Sequence, residues 1–276
     1  MAVVLALLAA VAFAGGTVLQ QKGAMEAPGG DVGFLVQIVR QRVWLAGALL
    51  QASGWILQAA ALDRGTMLVV QAICTLSLVI ALPLGVRLTG QHVGQREIAG
   101  AIAVVVGIVL FLSAGAPSGG VATPGAAAWW AAAIATAVLV ILVGSVARRQ
   151  RGAPRAAMFG IAAGVCFALQ AAVTKVFVGE LGQGVAHLLA TWSTYALIAT
   201  ALVGFVLQQS ALRTGVLAPA MASSNASTLV FSVVFGIWIF DESLDHGGAV
   251  AAAAWVGLAA AVVGVALLAN QEPVAA

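Results

Sequence analysis

Nine apolar runs, separated by short polar connections, take up almost the whole chain: roughly Val3 to Gln21, Val43 to Leu62, Thr66 to Val86, Glu97 to Gly115, Ala127 to Ala147, Arg155 to Val178, Val185 to Gln208, Val216 to Phe240 and Gly248 to Ala269. Each is long enough for a helix to cross a hydrocarbon core, which takes about 20 residues at about 1.5 Å of rise. In lipid every backbone N–H and C=O must be satisfied internally, and a continuous helix does this within one segment. The expected fold is therefore an all-α polytopic membrane protein of about nine transmembrane helices. A hydrophobic content of 62%, only 8% charged residues and a mean hydropathy of +1.09 fit that class, since a soluble domain has about a quarter of its residues charged.

Charge orients the crossings. Alternate connections carry Lys22, Arg40, Arg42, Arg87, Arg96, Arg148, Arg149, Arg151, Arg155 and Arg213, and the opposite ones only Arg64 and Lys175. Basic residues close to helix ends stay cytoplasmic, so the N-terminus is expected outside and the C-terminus inside. The sequence pI of 9.4 follows from these loops, with a net charge of only +3, and nucleic acid is not expected as a partner. The first run lacks a basic leader and is followed by Lys22, which argues against a cleaved signal peptide. Cys74 and Cys166 lie inside apolar runs without neighbouring ligands and read as packing residues.

Weak internal similarity is ordered along the chain. Ala9 to Ala14 resembles Ala163 to Ala168 at an offset of 154, Arg87 to Thr89 corresponds to Ser243 to Asp245 at 156, and Gly100 to Leu110 resembles Gly257 to Leu267 at 157. Three matches in one order suggest a duplication. The Pro/Gly/Ser-rich stretch Ala116 to Gly125 falls between the fourth and fifth runs. Three units are expected: residues 1–115 as a four-helix repeat, 116–154 as a linker with the fifth helix, and 155–276 as a second repeat. The single fifth crossing makes the copies inverted. Inverted repeats with half-sites near the midplane are an architecture of alternating access.

Two stretches carry a family resemblance. Leu62 to Gln71, continuing through Ala81 to Thr89 and Arg96 to Gly100, resembles the first half of drug/metabolite transporters, and Arg213 to Leu217 with Phe235 to Leu244 resembles their second half. Nine crossings and a basic loop after the first helix look closer to the NIPA-like magnesium transporter branch than to ten-helix EamA-like exporters. The resemblance implies transport and pairing of the fourth and ninth helices at the edge of the two halves.

Polar groups inside apolar helices are costly and mark pathways or packing. The candidate substrate pathway comprises Gln51 and Gln58, then Gln71 and Thr75, then Gln170 and Thr174, with Ser224, Asn225 and Thr228 in the most polar run. The bland alternative is that the hydroxyls bond back to their own helices and the amides bridge neighbours. The Asn225-Ala226-Ser227 sequon lies inside a predicted helix and is discounted. His187 is the candidate gate or proton site, set against an interfacial histidine with a neighbouring partner. Asp63, Glu180, Asp241 and Glu242 form the candidate outer acidic mouth that would concentrate cations, although for Asp241 and Glu242, which match the helix-ending turn of the resembled family, capping or hydrogen-bonding that turn is the stronger reading. Few carboxylates with amides deeper in would suit Mg2+, which keeps much of its water.

Without an acidic residue midway along any predicted helix, proton-coupled drug export of the small multidrug resistance type is not expected. Motifs of hydrolases, metalloproteases and phosphate-binding loops are missing, so neither an enzyme nor a cofactor is expected. The expected function is a secondary transporter or facilitator for a small polar metabolite or a divalent cation. Its partners would be the bilayer, the substrate and, as a further arrangement, a second copy in a homodimer. A non-transporting membrane partner or assembly subunit is the alternative. High Arg over Lys and Ala-rich helices point to a bacterial plasma membrane.

Overall fold

The computed structural model describes residues 1–25, 41–90, 93–121, 123–212, 214, 217–244 and 248–268. Arg40, Arg213 and Asp245 lie outside them. The helices are α1 (Ala2–Met25), α2 (Arg42–Arg64), α3 (Met67–Thr89), α4 (Gln95–Gly115), α5 (Ala126–Arg149), α6 (Gly152–Glu180), a short α7 (Val185–Ala190), α8 (Trp192–Leu212), α9 (Leu217–Phe240) and α10 (Ala249–Leu268). Two two-residue strands, β1 (Ser118–Gly119) and β2 (Glu242–Ser243), pair antiparallel. Nine helices among the described residues are long and apolar enough to cross a membrane. The chain thus has the build of a multi-pass membrane protein.

The seventh run departs from expectation. Instead of one helix from Val185, the chain forms α7, passes through an extended Thr191 (φ −82°, ψ 145°) and restarts at Trp192. Hydroxyl groups explain the break. The Thr194 Oγ1 and Tyr195 hydroxyls donate to the carbonyls of Leu188 and Leu189 at 2.5 and 2.7 Å, and those of Thr191 and Ser193 donate to Glu180. The acceptors left open at the end of α7 are thereby used by side chains rather than by a continuing helix. His187 consequently sits exposed on α7, ahead of the apolar span that begins at Trp192. It is not one turn inside that span.

Burial places α6 at the centre, with 72% of its apolar window enclosed, against 17% for α5 and 11% for α8. In the first half α1 packs on α2 and α3, and α3 on α4. In the second α6 packs on α8 and α9, and α9 on α10. The most extensive pairing of all joins α4 to α10.

Small residues set these distances. A Cβ at Gly100 would lie 2.9 Å from the Gly264 carbonyl oxygen, and one at Gly107 would lie 2.5 Å from that of Gly257; the reverse pairs are equally tight. The two helices therefore run antiparallel, with backbones nearly touching. Without a hydrophobic force between helices in lipid, such close contact is what holds them. The same device recurs where Gly16 meets Gly47 and Gln51 between α1 and α2, and where Gly160 and Gly164 meet Ala220 to Thr228 between α6 and α9.

Replacing Gly107 by Val inserts a side chain into backbone atoms that cannot yield. The expected loss is about 1–3 kcal/mol or more, read as a lower midpoint in thermal unfolding of the detergent-solubilised protein. Gly144→Val, at a position where nothing lies within 4 Å of the added Cβ, should leave the midpoint unchanged.

Candidate functional site

The best-defined polar site forms where α9 ends. Phe240 closes the helix, Asp241 takes a left-handed conformation (φ 55°), and the chain reverses into β2. That reversal turns the Glu242 side chain back into the protein, where it is 1% exposed. Its Oε1 accepts from the Met67 N–H at 2.6 Å and its Oε2 from the Leu68 N–H at 3.0 Å. These amides open α3 and have no acceptor within their own helix. The positive end of the α3 dipole adds attraction for the carboxylate. The Lys175 ammonium, from α6, completes the set at 2.6 Å from Oε1.

The clasp is enclosed on every side. Lys175 Nζ lies 4.6 Å from the centre of the Phe240 ring, a cation–π distance. Trp129 meets Phe240 edge-on at 6.0 Å and Trp192 at 4.9 Å. The segment after β1 covers the carboxylate: the Val121 N–H donates to the Phe240 carbonyl at 2.6 Å, and a Cβ on Gly120 (φ 106°) would come within 3.2 Å of Glu242 Cγ. Gly236 leaves room for the Leu68 side chain beneath.

The other acidic residues differ. Glu180 accepts from Ser193 at 2.5 Å and Thr191 at 3.1 Å at the start of α8. Asp63 is exposed and pairs with its neighbour Arg64 at 3.4 Å, and Asp241 is exposed. Glu242 therefore does not line an acidic mouth. Its charge is neutralised inside the protein by Lys175, and its role in the turn is to cap a helix of the other half.

The intrahelical residues divide into two groups. Thr75, Thr174 and Thr228 donate to the carbonyls of Gln71, Gln170 and Ser224 at 3.0, 2.8 and 2.8 Å, and Asn225 Nδ2 donates to the Met221 carbonyl at 2.7 Å. Ser224 and Thr228 face Gly164 of α6, whose carbonyl Thr228 also reaches at 3.2 Å. Gln58, Gln170 and Thr174 are partly exposed. Gln51 lies against Gly16, and its buried Oε1 has no partner among the described residues.

In the second group, Gln71 Nε2, Thr136 Oγ1 and Ser232 Oγ are buried with no partner among the described residues. Thr136 and Ser232 escape sequence reasoning because a hydroxyl in an apolar helix is expected to bond back to its own backbone. Lys175 had a usable signal, since an ammonium within an apolar run needs an acid nearby.

At the opposite end of α6, Arg151, Gly152, Arg155, Ser210 and Thr214 line an open cleft of about 290 Å³. Arg155 stacks on Phe159 at 5.7 Å. Among the described residues no group of three His, Cys, Asp or Glu side chains is placed to hold a metal.

Fold and site together define a polytopic helical chain in which a buried carboxylate of the second half, paired with Lys175, accepts from the first amides of α3 in the first half. An uncharacterised protein of Corynebacterium glutamicum is 27% identical over 249 residues, covering 89% of this chain and 86% of the relative. No family model matches the chain, and no solved structure matches it.

Removing one partner of a buried ion pair strands the other. Lys175→Met should cost about 3–5 kcal/mol and Glu242→Gln somewhat less, because glutamine still offers an oxygen to the α3 amides. The double variant, holding no uncompensated charge, should be more stable than the sum of the single losses implies. Thermal unfolding of all four proteins in one detergent checks the cycle, and strict additivity would show that the pair is not coupled.

Proposed function

We propose that the chain is a secondary transporter of the drug/metabolite type, moving a small polar metabolite or a divalent cation by alternating access. The reading includes a bacterial plasma membrane with the N-terminus outside and the C-terminus in the cytoplasm. The observation that carries it is the α4–α10 seam. An offset of 157 relates Gly100 to Gly257 and Gly107 to Gly264, and the close contacts are Gly100 with Gly264 and Gly107 with Gly257. Exchanging the two halves thus converts one contact into the other, as a two-fold relation between inverted copies requires.

The helix pairings support the same reading, since α1 with α2 and α3 mirrors α6 with α8 and α9, and α3 with α4 mirrors α9 with α10. Two equivalent halves meeting on a narrow glycine seam can rock against each other, opening one end while closing the other. The two ends differ accordingly: one is closed by the Glu242 clasp, and the other carries the basic cleft.

Purified protein in liposomes should give saturable flux of at least one solute class in a screen of amino acids, nucleobases and divalent cations, with and without a pH gradient. Gly107→Val should abolish that flux more completely than it lowers stability, because the seam is where the halves move. Wild-type liposomes indistinguishable from empty ones for every class would rule out the transporter reading.

A further inference from the structure

Hydroxyl groups in these helices normally bond back to a carbonyl one turn earlier, as Thr75, Thr174, Ser223 and Thr228 do. That local bond is always available to a Ser or Thr in a helix. Thr136 and Ser232 leave it unmade, although they are 7% and 0% exposed. Gln71, 4% exposed, leaves its amide donors unused in the same way. Each unmade bond in such surroundings costs about 1–3 kcal/mol relative to a satisfied group. Three such groups on α3, α5 and α9 indicate a use for them.

The three groups lie at related depths beneath the clasp. Trp129 touches Phe240; counting inward, Thr136 is seven residues and Ser232 eight residues along their helices, about 10 and 12 Å. Leu68 packs against Gly236, and from that contact Gln71 and Ser232 are each about one turn further in. Both α3 and α5 pack against α9, so the three helices adjoin. Ala132, one turn before Thr136, shares a hydrophobic cluster with Val70 and Ile73 beside Gln71 and with Phe235 beyond Ser232.

We propose that Gln71, Thr136 and Ser232 form a binding site for an uncharged polar solute, with the Glu242–Lys175 clasp as the gate above it. The amide offers donors, and the two hydroxyls offer both donors and acceptors. None of the three carries charge, and the nearest carboxylate is already neutralised by Lys175 and two backbone amides. The chemistry suits hydroxyl or amide groups of a neutral solute better than a bare cation. Opening the gate requires Glu242 to leave the Met67 and Leu68 amides and the segment at Gly120 to lift from it. The inference rests on the transporter reading and narrows its substrate class.

Ser232→Cys, Thr136→Cys and, as a buried apolar control, Leu229→Cys are made in a background with Cys74 and Cys166 replaced by Ala. Each is treated in proteoliposomes with the neutral reagent 2-hydroxyethyl methanethiosulfonate. The thiols at 232 and 136 should react, and about tenfold faster when Glu242→Gln shifts the gate toward open, while the thiol at 229 stays protected in both. Lys175→Met serves as gate variant if Glu242→Gln is not monodisperse. If both are lost, the comparison of 232 and 136 with 229 in the parent decides alone.

Equal protection of all three positions overturns the site. Wild-type flux of glycerol or urea that is blocked by modification at 232 supports the assignment. Flux confined to Mg2+ and unaffected by that modification overturns it while leaving transport intact. Reactive thiols without flux of any solute would instead remove the transporter reading and leave the site.

Discussion

Every helix begins with amides that have no acceptor in their own segment, and where a helix starts inside a protein or a lipid phase water cannot supply one. This chain answers the problem with carboxylates. Glu97 turns back onto the Gly94 N–H at 2.8 Å at the start of α4, and Glu242 takes the first amides of α3. The first is a local solution. The second reaches across 175 residues of sequence, so the start of a helix in one half is satisfied only while the other half is in place. Lys175 then offsets the cost of the enclosed charge, which by itself would be prohibitive.

That arrangement separates strength from adhesion. Along the α4–α10 seam the halves touch through glycine backbones, contacts that are individually weak and tolerant of small rotations. At the clasp they are held by two charge-assisted bonds with defined geometry, from the Met67 and Leu68 N–H groups to Glu242. The seam therefore adheres along its length through many weak contacts, whereas the clasp is a single polar contact that is either made or broken.

Much of the fold was legible in the sequence because its determinants are additive along the chain. Apolar runs of about 20 residues mark helices whatever they pack against. The break at Thr191 was not legible, because it depends on hydroxyls finding carbonyls and a carboxylate around a corner that only the folded chain creates. His187 was misplaced for that reason. That Glu242 caps was readable from the sequence, but not that the helix it caps is α3 in the other half. Only the left-handed turn at Asp241, a residue type that tolerates such a conformation, sends the next side chain inward.

The polar candidates show the same limit at finer scale. Sequence could identify Gln51, Gln71 and Gln170 as costly groups, yet whether a Ser or Thr matters depends on whether it makes its default bond. Thr75, Thr174 and Thr228 make it, and Thr228 also donates to the Gly164 carbonyl, so its polarity goes into holding α6 and α9 together. Thr136 and Ser232 look less conspicuous in sequence but hold their hydroxyls free in an interior that penalises it. The groups with chemical capacity to spare are therefore those that the local backbone has left alone. Along their helices they lie inward of the Glu242 clasp.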